Sequence, residues 1–158
     1  MTAQQTRRYR TAAHATLVFA LIVGPTSAWC AQYQSIGNDP AIFYDAPTLR
    51  GTRTFVAPRG MPVDVVVAQG DWVRVRDSTG GLAWVEKKAL ADKRTVVVTA
   101  KAGTADVHAS ADESAPVVFR AQAGVLLDLV AAPASGWVSV RHRDGQGGFV
   151  KAGDVWGK

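Results

Sequence analysis

From about residue 36 onward, apolar residues alternate with polar ones over short stretches, and glycine-rich turns separate the stretches. Val63, Val65 and Val67 alternate with Asp64 and Val66. After Gly70-Asp71, Val73 and Val75 alternate with Trp72, Arg74 and Arg76. A period of two sends successive side chains to opposite faces, so these stretches predict half-buried strands. Ser78-Thr79-Gly80-Gly81 predicts a turn before the next strand, Leu82-Ala83-Trp84-Val85. Glu86-Lys87-Lys88-Ala89-Leu90 predicts a single helical turn. Thr95-Val96-Val97-Val98-Thr99 predicts a further strand, placed to pack one half of the chain on the other. Short strands, tight turns and no convincing amphipathic helix predict an all-β chain built from small barrels.

The pattern occurs twice. Asp71–Val85 lies over Gly136–Val150, 65 positions later, without a gap, and the Trp, Val, Val, Arg, Gly and Val positions coincide. Trp84 falls on Phe149, and Phe55 on Phe119. Gly60-Met61-Pro62-Val63-Asp64-Val65-Val66 matches Gly124-Val125-Leu126-Leu127-Asp128-Leu129-Val130 after a one-residue loop insertion. A repeat of about 60 residues is too long for a solenoid unit and suits two small tandem domains, each marginal in stability alone. The boundaries read as 36–92 and 95–156, joined near Asp92-Lys93-Arg94.

The first thirty residues read differently. Arg7, Arg8 and Arg10 precede an apolar run centred on Leu17–Val23, then Gly24-Pro25 and small residues. This is the three-part pattern of a cleavable signal peptide over 1–30, with an apolar run short of the roughly 20 residues of a membrane span. Small residues fit cleavage after Ala28 or after Cys30, the latter preferred. The expectation is an exported protein, periplasmic or secreted, with no stable membrane span after cleavage.

Charge changes once the leader is set aside. The whole chain carries a formal +5, but residues 1–30 hold three arginines and no acid, leaving 15 basic and 13 acidic residues. A net of +2 gives no clustered basic face, so nucleic acid is not an expected partner. With 47% hydrophobic and 20% charged residues, the composition is that of a globular protein rather than a disordered one. The single cysteine excludes an intramolecular disulfide and a cysteine-based zinc site.

The units resemble bacterial SH3 domains. Ala41-Ile42-Phe43-Tyr44-Asp45-Ala46-Pro47 is similar to the opening strand and the start of the family's long RT loop. Gly70–Val75 and Gly136–Val140 are similar to its Gly-Trp-x-x-Val strand. Gly80–Val85 and Gly145–Val150 are similar to its Gly-x-x-Gly-aromatic-Val closure, with Ala83 in place of the second glycine in the first copy. Ala105–Ser110 stands in for the opening strand of the second. The resemblance implies two tandem SH3-like β-barrels and adhesion to cell-wall peptidoglycan or to an envelope protein.

Alternation puts Trp72 on one face with Arg74 and Arg76, opposite Val73 and Val75, and Trp137 with Ser139 and Arg141. If the valines line the barrels, both indoles point away from the core. Two readings follow. Each ring is a platform for sugars or peptides, or each packs under the long loop or between the units. Tyr44, Trp72, Arg74 and Trp84 are the candidate binding residues of the first unit, and Trp137, His142 and Phe149 those of the second. Trp156 is placed to cap the second barrel. Asp64 with Arg76, and Asp128 with Arg141, predict cross-strand ion pairs, worth about 0–1 kcal/mol where exposed. The acids Asp112-Glu113 read as a solvated loop.

His142-Arg143-Asp144 matches a kinase tripeptide in letters only and reads as a turn. Gly145-Gln146-Gly147-Gly148 lacks the features of a phosphate loop. His108 and His142 lie one in each region, without the spacing of a metal site. No catalytic residue, metal or cofactor is assigned. The expectation is a non-catalytic binding module. Its rivals are a structural envelope protein that contacts only another protein and, more remotely, a small cell-wall hydrolase. No feature of the chain sets an oligomeric state.

Overall fold

The computed structural model describes residues 31–158, so the leader read over 1–30 lies outside the described residues. Two seven-stranded antiparallel sheets follow one another along the chain. The first contains β1 (Gln32–Ile36), β2 (Ala41–Tyr44), β3 (Arg53–Ala57), β4 (Pro62–Gln69), β5 (Trp72–Arg76), β6 (Leu82–Glu86) and β7 (Leu90–Ala91), in the spatial order β3-β2-β6-β5-β4-β1-β7. The second contains β8 (Thr95–Val98), β9 (Thr104–His108), β10 (Val117–Gln122), β11 (Leu126–Leu129), β12 (Trp137–Arg141), β13 (Gly147–Lys151) and β14 (Val155–Trp156). Its order, β10-β9-β13-β12-β11-β8-β14, repeats the first. The expected helical turn is a 3-10 turn at Lys87–Ala89, and the second copy has one at Ala152–Asp154.

Each sheet curls around its own small core. Ile36, Ala41, Phe43, Ala57, Val63, Val73, Val75 and Val85 fill the first. Val96, Val98, Val107, Leu127, Val138, Val140, Val150 and Val155 dominate the second. Valine suits this role because its branched side chain packs well on a pleated surface and loses little rotamer freedom there. Gly80 and Gly145 close equivalent hairpins at φ +91° and +96°, a left-handed conformation that glycine adopts without steric cost. Beside the first of these, Asp77 Oδ1 accepts the amides of Thr79 and Gly81 at 2.8 and 2.9 Å, which pins the turn.

Two details of the strands depart from the sequence pattern. Val66 is a β-bulge: Val65 pairs with Val75 but Val67 pairs with Arg74. The extra residue flips the alternation, so Val67 leaves the core and is 46% exposed. Strand β1 lies just before the stretch read as the first unit, yet it joins that unit's sheet between β4 and β7.

The units meet through β1, the β3–β4 turn and β8. The Thr95 amide donates to Ser35 Oγ at 3.1 Å, the two hydroxyls lie 2.8 Å apart, and Thr95 Oγ1 donates to the Gly60 carbonyl at 2.6 Å. Because Thr95 spends its proton on Gly60, Ser35 must donate to Thr95. This hydrogen-bonded chain is buried, with Ser35 2% and Thr95 5% exposed. Trp156 does not merely cap the second barrel. Its ring meets Tyr33 of the first unit edge-on, centroids 5.1 Å apart, and the Arg94 guanidinium lies 5.6 Å from the same tyrosine ring. The strand Thr95–Val98 therefore packs the two halves together, as the sequence pattern predicts.

Candidate functional site

Residues directly opposite on neighbouring strands share a face of the sheet. Tyr44 on β2 pairs with Trp84 on β6, and Trp84 pairs with Arg74 on β5. One rung away, Trp72 pairs with Glu86. Val73, Val75 and Val85 occupy the opposite, inner face. Alternation therefore gathers Tyr44, Trp72, Arg74, Trp84 and Glu86 into one outer patch. The rings of Tyr44 and Trp72 meet edge-on at 5.4 Å and 88°. This arrangement sets the positive rim of one ring against the negative face of the other. Tyr44 is 5% exposed, so it serves as the bed on which Trp72 rests rather than as an open groove residue. Trp72 and Trp84 are half-buried and Arg74 is exposed.

The second unit builds the same patch from different residues. His108 on β9 pairs with Phe149 on β13, Phe149 pairs with Ser139 on β12, and Trp137 pairs with Lys151. The rings of His108 and Trp137 meet edge-on at 5.4 Å and 83°, nearly the Tyr44–Trp72 geometry. Between the copies tyrosine becomes histidine, Trp84 becomes Phe149, Arg74 becomes Ser139 and Glu86 becomes Lys151. The scaffold is duplicated and the chemistry on it is not.

His142 does not join this patch. It follows the end of β12 opposite to Trp137, five residues or about 16 Å of extended strand away. Its Nδ1 lies 3.0 Å from Asp144 Oδ2, and its ring is 6.0 Å from that of Phe119. The histidine that does meet Trp137 is His108, which is 8% exposed and whose Nδ1–H donates to the Ala115 carbonyl at 2.9 Å. The signal for it was present: His108 sits 64 positions after Tyr44, within one residue of the repeat offset.

Each tryptophan lies against the residue that opens a long loop. Asp45 and Thr52 close the first loop, their backbones bonded at 3.1 Å and the Thr52 amide donating to Asp45 Oδ1 at 2.8 Å. In the second, the Ala109 amide donates to the Pro116 carbonyl at 2.9 Å. That loop carries Asp112 and Glu113, exposed as expected. Glu113 pairs with Lys151 of the patch at 2.6 Å. The bond to Lys151 holds the Glu113 carboxyl below its ordinary value, and Glu113 in turn holds the Lys151 ammonium above its own. The Ser114 amide and hydroxyl lower the Asp112 carboxyl. In the first patch, Glu86 pairs with Lys88 at 2.9 Å and raises the lysine.

The two predicted cross-strand ion pairs fare differently. Asp64 and Arg76 are register partners, 3.6 Å apart. Asp128 and Arg141 are also register partners, but Asp128 Oδ2 engages Lys93 of the linker at 2.9 Å. The linker passes closer to Asp128 than hairpin geometry alone foretells.

A cleft of about 610 Å³ lies between the units, and Ser35, Gly60, Thr95, Leu126 and His142 are on its lining. A smaller one of about 480 Å³ borders Tyr44, Glu86 and Lys88. Among the described residues, no cluster of three or more His, Cys, Asp or Glu is arranged to hold a metal ion. Among them, too, no helix is long and apolar enough to cross a membrane.

The family model of the bacterial SH3 domain matches the chain twice, over residues 37–92 and 101–157. No curated protein matches it. Among solved structures, it is similar to NlpC1 from Trichomonas vaginalis at 12% identity and a TM-score of 0.38, covering 90% of this chain and 51% of that one. It is similar to NlpC2 from the same organism at 12% identity and a TM-score of 0.37, covering 82% and 49%. An NlpC/P60 family protein from Bacillus cereus aligns at 17% identity and a TM-score of 0.36, covering 79% and 56%. The chain thus spans about half the length of each of these structures.

Proposed function

From the premise that the chain belongs to the bacterial SH3 domain family, with two copies in tandem, we propose that it is an exported, non-catalytic binding module for cell-wall peptidoglycan. Domains of this family commonly bind peptidoglycan and are typically extracellular or periplasmic. The signal-peptide pattern over 1–30 agrees with that location.

One observation carries the reading. The chain places an edge-on aromatic pair at the same point of both barrels, Tyr44–Trp72 and His108–Trp137, and half-exposes the tryptophan each time. A core needs neither ring there, because valines already fill both interiors. A half-buried indole held from one side offers its other surface for stacking on a sugar ring or a peptide plane. In the first patch, Arg74 is positioned to take a peptide carboxylate. In the second, Ser139 and Lys151 replace the Arg74 and Glu86 chemistry, so the two patches recognise different parts of the polymer. Two weak sites on one chain gain in avidity when both reach the same strand.

A second reading, an envelope protein that contacts only another protein, draws on the sheet edges. Edge strand β3 exposes Phe55 (49%) and Val56 (63%), and edge strand β10 exposes Val117 (41%) and Val118 (42%). Unpaired apolar edges accept an added strand.

Tryptophan fluorescence separates the two. Titration with soluble disaccharide-peptides released from peptidoglycan should shift the emission, and Trp72→Ala and Trp137→Ala should each remove part of the change. An emission that the fragments leave untouched favours the protein-partner reading.

A further inference from the structure

We propose that the cleft between the units is a second binding site, distinct from the aromatic patches, for a short acidic peptide. Its apolar lining comes from Ile36 and Ala91 of the first unit and Val125 and Leu126 of the second. Its cations come from three separate parts of the chain: Arg59 from the β3–β4 turn, Lys93 from the linker and Arg143 from the β12–β13 turn. Asp128 is the one acid on the lining, and it is already engaged by Lys93 at 2.9 Å. Among the described residues, Arg59 and Arg143 have no acidic partner. The cleft therefore faces its occupant with two uncompensated guanidiniums, one from each unit.

The site is preformed. The Thr95–Ser35–Gly60 hydrogen-bonded chain runs along its floor and fixes the units to each other. The Tyr33–Trp156 contact holds the same interface from another side. Gly60 contributes by its backbone: its φ of +77° lies in the left-handed region that glycine adopts without steric cost. A cleft of about 610 Å³ is of the size that takes a ligand of a few residues. Guanidiniums select carboxylates by paired, charge-assisted hydrogen bonds. The apolar lining accommodates the aliphatic parts of such a ligand. Together they fit a short peptide that carries two carboxylates. Guanidiniums from both units make the site dependent on the tandem arrangement, which neither barrel could supply alone.

The proposal rests on the geometry of the cleft and stands whether or not the aromatic patches bind peptidoglycan. The test is an NMR titration of the purified protein with the synthetic tetrapeptide Ala-Glu-Ala-Ala and with its neutral analogue Ala-Gln-Ala-Ala-amide. The acidic peptide should shift the amides of Gly60, Val125 and Leu126 while leaving the indole signals of Trp72 and Trp137 in place. Arg59→Gln with Arg143→Gln should weaken it by more than about ten-fold, as expected for the loss of charge-assisted contacts. The variant's unperturbed spectrum serves as the check on folding. Trp72→Ala with Trp137→Ala should leave peptide affinity unchanged even if it abolishes retention on peptidoglycan. Equal binding of the neutral analogue, shifts confined to the indoles, or no shift at millimolar peptide would overturn the assignment.

Discussion

Replacing Thr95 with valine keeps the shape of the side chain and removes one hydroxyl from the joint between the barrels. Two hydrogen bonds go with it: the one Thr95 donates to the Gly60 carbonyl at 2.6 Å and the one it accepts from Ser35 at 2.8 Å. Valine leaves no cavity, so the cost is polar. It strands the Ser35 hydroxyl proton and the Gly60 carbonyl in a place where Ser35 is 2% and Thr95 5% exposed. Each buried group left without a partner costs about 1–3 kcal/mol. Burial of the added methyl returns about 0.8 kcal/mol. With two such groups the net loss should be about 1–5 kcal/mol, which lowers the urea midpoint by about 0.5–2.5 M at an m-value of about 2 kcal/mol/M. Urea unfolding followed by tryptophan fluorescence and far-UV circular dichroism reads this directly. Because the loss falls at the joint, the two probes should also separate as the barrels begin to unfold independently. Ser35→Ala with Thr95→Val should cost less than the sum of the single changes, by about 1 kcal/mol, because the two hydroxyls are in direct contact. A Thr95→Val protein within about 0.5 kcal/mol of the parent, with coincident transitions, would refute the view that this chain holds the units together.

Three further outcomes follow from the geometry. Gly148→Ala sets a Cβ 2.5 Å from the His108 carbonyl oxygen and 2.8 Å from Val107 Cγ1, so β9 must shift. It should cost about 1–3 kcal/mol and disturb the Trp137 indole signal, and an unchanged melting temperature would count against the close approach of β9 and β13. Gly157→Ala meets Pro62 Cβ at 2.7 Å with φ at +102°, and calorimetry should show a similar loss. The Glu113 carboxyl titrates below its ordinary 4.5 because of Lys151, so the support this pair gives the loop is present above that value and fades as the pH falls through the lowered one. An NMR titration should find Glu113 depressed, and Lys151→Met should return it upward; no response to that change would remove the pair from the account.

The core was legible because the alternation that marks it is written twice. Val73, Val75 and Val85, and their counterparts Val138, Val140 and Val150, are all buried on the inner face. The outer patch followed from the same alternation, which is why Trp72, Arg74, Trp84, Trp137 and Phe149 fall where the pattern puts them. Tertiary pairing decided the rest. Tyr33, Gln34 and Ser35 give β1 little apolar periodicity, and its strand character comes from lying between β4 and β7. The bulge at Val66 has no glycine or proline to announce it, so Val67 reads as a core residue. His142 is the nearer histidine to Trp137 in sequence, but a five-residue strand separates them, while a cross-strand ladder brings His108 close. Asp128 has one register partner in Arg141 and another in Thr95 of β8, and its ion-pair partner Lys93 lies two residues before Thr95.

We propose that two duplicated aromatic patches hold the protein on the cell wall. Co-sedimentation of the purified protein with protein-free peptidoglycan sacculi, over a salt series, tests it most directly. Binding should be saturable, persist beyond about 0.5 M salt, where screening extends only a few ångströms, and be lost in Trp72→Ala/Trp137→Ala with the fold intact. Binding that vanishes at moderate salt, or that the double variant retains in full, would contradict it.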